Sequence, residues 1–304
     1  MNPSLEKIIL DTRQARHILD VELIQNLWSG YGELTRVITD NGSLIAKIIK
    51  FPTAQDHPRG WATNIGHERK KKSYRVEKNW YTSLEGVARA RMATGLASGH
   101  VGDQEYILLE DLQSSGFVTR SNLDWQEVEW CLSWLAHFHR HYMGYSTKGL
   151  WSIGTYWHLA TRPEELKALT DMALKKAAPK IDNKLNAAKH RTIVHGDAKL
   201  ANFLFNDDEA AAVDFQYVGG GVGIKDVAYF MGSIFAEDEL QDYEAHVLDT
   251  YFKYLDLPEV EKEWRALYPL AWCDFYRFLQ GWSPGHWKIN SYSERMREQA
   301  LKCL

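Results

Sequence analysis

The chain has 304 residues, 45% of them hydrophobic and 25% charged, with a formal net charge of −4. That is long and apolar enough for two lobes, while the slight acidic excess gives no electrostatic basis for binding nucleic acid. Cys131, Cys273 and Cys303 are isolated from one another, which disfavours a disulfide scaffold and a zinc site, and no stretch reads as a membrane span or a secretory signal, so a cytoplasmic location is expected.

In chain order, the first feature is the loop Trp28-Ser29-Gly30-Tyr31-Gly32-Glu33, in which Gly30 and Gly32 would let backbone amides approach a phosphate closely. Thr35 stands where a longer Gly-x-Gly-x-x-Gly loop would have its third glycine. Residues 34–39 and 43–49 read as β-strands joined through Asp40-Asn41-Gly42, a hairpin signal. Period-2 alternation puts Ile45, Lys47 and Ile49 on one face. A lysine between two isoleucines is costly unless it meets an anion or snorkels to water from an edge strand; Lys50, on the other face, is the weaker candidate. Residues 69–90 read as a helix, with Tyr74, Glu77, Tyr81, Leu84 and Ala88 at three- and four-residue steps on one face. Glu77 is the one charge on that stripe, so Lys47 is its expected partner, with Glu68 and Glu85 as alternatives. The run Arg69-Lys70-Lys71-Lys72 reads as the solvated start of this helix. A strand at 105–109 then runs into Glu110-Asp111-Leu112.

Beyond that point the pattern is mostly helical, over 125–143, 162–189, 237–255 and 260–282, with a β insertion around 192–215. His137, His139 and His141 invite a metal reading, but only His137 and His141 share a helical face and no third ligand lies near in sequence, so packing is the expected role.

The chemistry concentrates in the insertion, where His195-Gly196-Asp197-Ala198-Lys199-Leu200-Ala201-Asn202 is followed by an apolar hairpin and Val213-Asp214-Phe215. A carboxylate can take the proton of an attacking hydroxyl, and an amide oxygen and a second carboxylate can hold a divalent cation against phosphates. Asp197 is therefore the candidate base, Asn202 and Asp214 the candidate metal ligands, and Lys199 a candidate contact for the transferred phosphate. The glycine run at 219–223 leads to Asp226 at a helix start, where an N-cap is the local reading; a brace for the Asp197 loop is the second reading, which the resemblance described next implies.

These motifs resemble the aminoglycoside phosphotransferase and choline kinase superfamily, and Asp214-Phe215-Gln216, the glycine run and Asp226 are most similar to its ecdysteroid-kinase-like branch. The resemblance runs through nearly the whole chain. It implies an α+β, protein-kinase-like two-lobed fold: a small β-rich nucleotide-binding lobe over 1–111 and a larger, mainly helical catalytic and substrate-binding lobe over 112–304. It further implies that Lys47 and Glu77 serve ATP, that Gly30 and Gly32 cover its phosphates, that Glu110 and Leu112 offer backbone contacts to adenine, that Mg²⁺ is bound, and that His195 and Asp226 are structural supports.

Eleven residues separate Asp214 from Asp226, little room for a peptide platform, so the expected acceptor is a small alcohol, choline-like, aminoglycoside-like or steroid-like. Trp272, Asp274, Tyr276 and Trp282 are candidate acceptor contacts, since aromatic rings beside a carboxylate suit a cation; core packing is the plainer reading of such rings. A catalytically inactive kinase-fold scaffold and a protein kinase are the alternatives.

Overall fold

The computed structural model describes residues 1–27, 30–51, 64–83 and 86–304, which form two compact units: Met1–Gly86 with Met92–Val118, and Val87–Arg91 with Thr119–Leu304.

In the first unit, helix α1 (Pro3–Arg13) precedes strands β1 (Ile18–Asn26), β2 (Gly32–Thr39) and β3 (Gly42–Lys50), helix α2 (Asn64–Ser83) and, after the two-residue strand β4 (Arg91–Met92), whose Arg91 belongs to the second unit, strands β5 (Gly95–Val101) and β6 (Gln104–Glu110). Five strands make one antiparallel sheet in the order β1-β2-β3-β6-β5. The β2–β3 turn closes as the Asp40-Asn41-Gly42 signal predicts: Gly42 has φ +88° and the Thr39 hydroxyl donates to its carbonyl at 2.7 Å. Alternation along β3 then divides the sheet's two faces. Leu44, Ala46 and Ile48 join Leu5 and Ile9 of α1, Val37 and Leu108 in a core cluster on one face, and Lys47 points to the other, toward α2.

The predicted helix over 69–90 is α2, and it starts earlier and ends sooner, at Ser83; Tyr74 and Glu77 are buried on one face, Ala88 lies beyond the helix, and residues 84–85, with the alternative Glu85, fall outside the described residues. The glycine loop is described from Gly30 onward.

The second unit is built from helices α3 (Trp125–His141), α4 (Pro163–Ala168) and α5 (Met172–Asn186), strands β7 (Thr192–Val194), β8 (Phe203–Phe205), β9 (Ala210–Ala212) and β10 (Gly219–Gly221), and helices α6 (Ile224–Ile234), α7 (Glu237–Leu255), α8 (Pro258–Trp282) and α9 (Ser291–Lys302). Helix α3 opens with a capping box, Asp124 accepting from the Glu127 amide and the Glu127 side chain accepting from the Asp124 amide. The continuous helix expected over 162–189 is two helices. Leu169 leaves helical φ/ψ, and Asp171 caps α5 by accepting from the Leu174 amide at 3.0 Å. The long α8 packs against α4, α5, α6 and α9, and α3 packs against α7. Among the described residues no helix is long and apolar enough to cross a membrane. The small antiparallel-sheet unit and the larger helical unit are those of the expected protein-kinase-like, α+β architecture.

Helix α8 lies close against α4 at Gly281, where a Cβ would lie 2.0 Å from the Glu165 carbonyl oxygen. Gly281→Ala is therefore expected to lower stability by about 1–3 kcal/mol despite alanine's better helix propensity. Gly285→Ala, where a Cβ meets nothing within 4 Å, should stay within about 0.5 kcal/mol. Urea unfolding of the two variants checks the contrast.

Candidate active site

The loop carrying Asp197 is fixed from both ends. Strand β7 enters it, paired antiparallel with β10, Val194 opposite Gly219 and Thr192 opposite Gly221. The glycine run, read from sequence as a lead-in to a helix, is thus a strand pressed between neighbours: a Cβ on Gly219 would meet the Trp151 carbonyl oxygen at 2.3 Å and one on Gly220 the Ser152 carbonyl oxygen at 2.7 Å. Gly196 has φ +80°, and a Cβ there would lie 2.2 Å from the Tyr217 carbonyl oxygen. No other residue type fits the turn.

Asp226 resolves between its two readings. The N-cap of α6 is Gly223, and the Asp226 carboxylate accepts from the backbone amides of His195 at 2.6 Å and Gly196 at 3.0 Å. His139 Nε2 donates to the same carboxylate at 3.1 Å, and its Nδ1 is 2.8 Å from the Tyr251 hydroxyl. All three side chains are buried. His139 is therefore a packing and hydrogen-bonding residue, and among the described residues no group of three or more His, Cys, Asp or Glu side chains could hold a metal ion.

His195 Nδ1 accepts from the Asp197 amide, 3.3 Å away, and Nε2 lies 3.0 Å from the Val213 carbonyl oxygen. A carbonyl only accepts, so Nε2 carries the proton and the ring is neutral. Burial, which outweighs the nearby carboxylates, holds the imidazole below its ordinary pKa in agreement. The ring thus ties the start of the loop that carries Asp197 to Val213, the residue before Asp214.

Asp197 is 6% exposed. Its Oδ2 accepts from Lys199 Nζ and from Asn202 Nδ2, each at 3.1 Å, and Asn202 Nδ2 also donates to the Asp197 carbonyl at 2.8 Å. Its Oδ1 is buried with no donor at hydrogen-bond distance, while the Tyr229 hydroxyl lies near enough to interact with the carboxylate. Burial raises the Asp197 pKa, helped by Asp214 and opposed by Lys199 and His195. The Lys199 ammonium is pulled the other way: burial favours its neutral form, but Asp197 and Asp214 outweigh that and raise its pKa. Asn202 spends its amide NH₂ group on Asp197, which turns its oxygen to other partners. Asp214 adopts φ +67°, a strained conformation for a residue other than glycine, and its Oδ1 accepts from Gln216 Nε2 at 2.7 Å. An amide oxygen and a carboxylate on the hairpin that flanks Asp197 are a donor set suited to Mg²⁺.

In the first unit, Lys47 Nζ lies 2.8 and 2.7 Å from the two Glu77 carboxylate oxygens, and both residues are buried. Glu68 is instead exposed and pairs with Lys71 at 3.3 Å, and Lys50 pairs at the surface with Asp103. Gly32 has φ +125°, and a Cβ on it would meet the Ile48 carbonyl oxygen at 2.0 Å; Gly30 has φ +73° and its amide donates to Leu27. The turn into β2 therefore requires glycine at 32, and at 30 glycine is favoured by the positive φ alone. The Glu110 amide donates to the Thr94 carbonyl, and the Leu112 carbonyl accepts from the Phe117 amide.

The acceptor contacts expected from sequence need correction. Asp274 is fully buried and already neutralised, with Lys225 at 2.9 Å, Arg277 at 2.7 Å and the Trp157 indole N–H at 3.0 Å. Although burial opposes ionisation, those two cations hold its carboxyl well below the usual range. Trp272 is buried with its indole N–H on Ser293, and Tyr276 is buried with its hydroxyl shared between Glu294 and Gln280. These three residues hold α8 to its neighbours. Trp282 is 40% exposed and stacks on Phe278.

Residues that no sequence pattern singled out surround Asp197 instead. The Tyr156 and Tyr229 hydroxyls are 3.1 Å apart, and both phenols are pushed up by burial and by the Asp197 charge. Lys288 feels both Lys199 and Asp197. Its one sequence signal was its place among Trp282, His286 and Trp287.

The fold class this defines is shared with solved small-molecule phosphotransferases. Amicoumacin kinase hAmiN, in complex with AMP-PNP, Ca²⁺ and Ami, is 16% identical, with 99% of this chain and 95% of that chain covered and a TM-score of 0.58. A thermostable mutant of aminoglycoside phosphotransferase APH(4)-Ia is 12% identical over 98% of each chain with a TM-score of 0.56. A microcompartment-associated aminopropanol kinase is 13% identical, with 98% of this chain and 95% of that chain covered and a TM-score of 0.55. Likeness at such identities establishes the fold. In sequence, the model of the ecdysteroid kinase-like family matches residues 152–261, the segment that contains Asp197, Asn202, Asp214 and Asp226, so over about a third of its length the chain is similar to that family. No curated protein matches the chain.

Removing the Asp226 carboxylate would strand two buried amides, at about 1–3 kcal/mol each. Asp226→Ala is expected to destabilise the protein by about 2–6 kcal/mol and Asp226→Asn, which keeps one accepting oxygen, by less. Equilibrium unfolding in urea of both variants measures the difference.

Proposed function

We propose that the chain is an ATP- and Mg²⁺-dependent kinase that phosphorylates a hydroxyl of a small molecule. The observation that carries this reading is the buried, unpartnered Oδ1 of Asp197, since a buried carboxylate oxygen without a donor suits a ligand hydroxyl. Asp197 accepts the proton as the acceptor oxygen bonds to the γ-phosphorus, and the bond from that phosphorus to the β,γ-bridging oxygen breaks to leave ADP. Lys199, beside the base, stabilises charge on the transferred group. Asn202 and Asp214 would hold the divalent cation, which supplies neutralisation of phosphate charge. Within the first unit, Lys47, held by Glu77, is a cation suited to a phosphate.

Two features favour a small acceptor over a peptide. The interval from Asp214 to Asp226 is taken up by a turn, by β10 and by the first turn of α6, which leaves no extended segment for a peptide to lie on. The solved relatives named above include an amicoumacin kinase and an aminopropanol kinase, both of which act on small molecules.

Asp197→Asn is expected to lower kcat by about 10²–10⁴-fold while leaving Mg·nucleotide affinity within a few-fold, and Asp214→Ala to weaken that affinity. Steady-state kinetics and calorimetry separate the two effects; an Asp197→Asn variant with full turnover would refute the assigned role. Because the base must be ionised and its pKa is raised by burial, kcat should fall as the pH drops through a value above 3.8, the ordinary carboxyl value. A pH–rate profile of the wild-type enzyme reads this limb directly.

A further inference from the structure

The second unit contains a pocket of about 330 Å³ adjoining the catalytic loop, lined by Arg120, Lys199, Leu200, Ala201, Ser233 and Lys288. Three of the six are cations and none is a carboxylate. Two of the cations are already engaged: Lys199 Nζ donates to Asp197 at 3.1 Å, and Arg120 Nε donates to Glu127 at 3.0 Å. Lys288 differs. Among the described residues it forms no ion pair, and its ammonium instead sits 5.4 Å from the Tyr229 ring centroid, 5.9 Å from Phe275 and 5.3 Å from Trp287.

That arrangement has two consequences. An aromatic cage of this kind could have held a cationic acceptor, but here the protein's own lysine fills it. Ring quadrupoles are also a weak substitute for a counter-charge, so the ammonium remains short of an anion. Burial and the neighbouring Lys199 together lower its pKa to about 8, as expected for a cation whose balancing charge is supplied from outside. Any alcohol that enters beside Lys199 meets this field.

Resting on the kinase reading above, we propose that the acceptor carries an oxyanion, a carboxylate or a phosphate, alongside its hydroxyl, and that Lys288, flanked by Arg120, binds that oxyanion in this pocket. Choline-like and aminoglycoside-like acceptors are disfavoured by the same charges. Lys288 is a specificity residue: it would bind the acceptor's charge at a distance from the reacting oxygen.

The test is a charge series on one short frame: glycerate, glycerol 3-phosphate, glycerol and choline, each offered with ATP and Mg²⁺. The expected result is a higher kcat/KM for glycerate or glycerol 3-phosphate than for glycerol, and the lowest for choline; which of the two anions leads distinguishes carboxylate from phosphate. Lys288→Gln should reduce the anion-to-glycerol ratio of kcat/KM about tenfold, mainly through KM, and Lys288→Arg should retain it. Independently of turnover, glycerate or glycerol 3-phosphate should slow acylation of Lys288 by a small amine-reactive reagent, read by mass spectrometry, more than glycerol does. Preference for choline or glycerol, or an unchanged ratio in Lys288→Gln, would overturn the proposal while leaving the kinase reading intact. Anion protection of Lys288 with no phosphorylation of any alcohol would overturn the kinase reading instead.

Discussion

Everything in the second unit that bears on chemistry hangs from one carboxylate. Asp226, buried at the start of α6, accepts from two consecutive backbone amides, those of His195 and Gly196. Two charge-assisted hydrogen bonds to adjacent amides set the position and tilt of that peptide segment, which a side-chain contact alone could not do. The carboxylate is held in its turn by His139 and, through it, by Tyr251, so α3 and α7 share in positioning the loop. Gly196 supplies the positive φ that lets the chain turn from those amides into Asp197, and the neutral His195 ring carries the constraint across to Val213.

The loop so fixed holds a particular charge balance. Buried Asp197 and half-buried Asp214 repel each other, and Lys199 is the compensating cation at hand. One Asp197 oxygen is saturated by Lys199 and Asn202, and the other is left without a donor. Such a carboxylate is oriented and partly desolvated before a ligand arrives, which is the preorganisation that proton transfer requires. Tyr156 and Tyr229 remain neutral beside it because burial and the Asp197 charge both oppose their ionisation.

Much of this was legible in the sequence where short-range rules apply. Strand alternation placed Lys47 on one face with Ile45 and Ile49, and helical spacing placed Glu77 as the lone charge on its stripe; the two meet because neither could be buried unpaired. The β2–β3 turn followed from Asp40-Asn41-Gly42, and α7 ran over the expected 237–255. What depended on tertiary crowding was not legible. The glycines at 219–221 look like a linker until the neighbouring Trp151 and Ser152 carbonyls show why no side chain fits. The break between α4 and α5 was signalled locally by Asp171, a capping residue, yet the surrounding apolar spacing concealed it. The aromatics of α8 carry the same spacing whether they line a pocket or pack a core, and Asp274 proved to be the centre of a buried ion cluster with Lys225 and Arg277. Lys288 had no periodic pattern to mark it, because its partners come from α6, α8 and its own loop.

The central claim is that this site moves phosphate from ATP to a small-molecule hydroxyl. The most direct measurement is ³¹P NMR of the purified protein with ATP, Mg²⁺ and a broad panel of hydroxylated small molecules. The account predicts a new phosphomonoester resonance growing in step with ADP, dependent on one panel member. Consumption of ATP to inorganic phosphate alone, or no consumption with any alcohol, would contradict it.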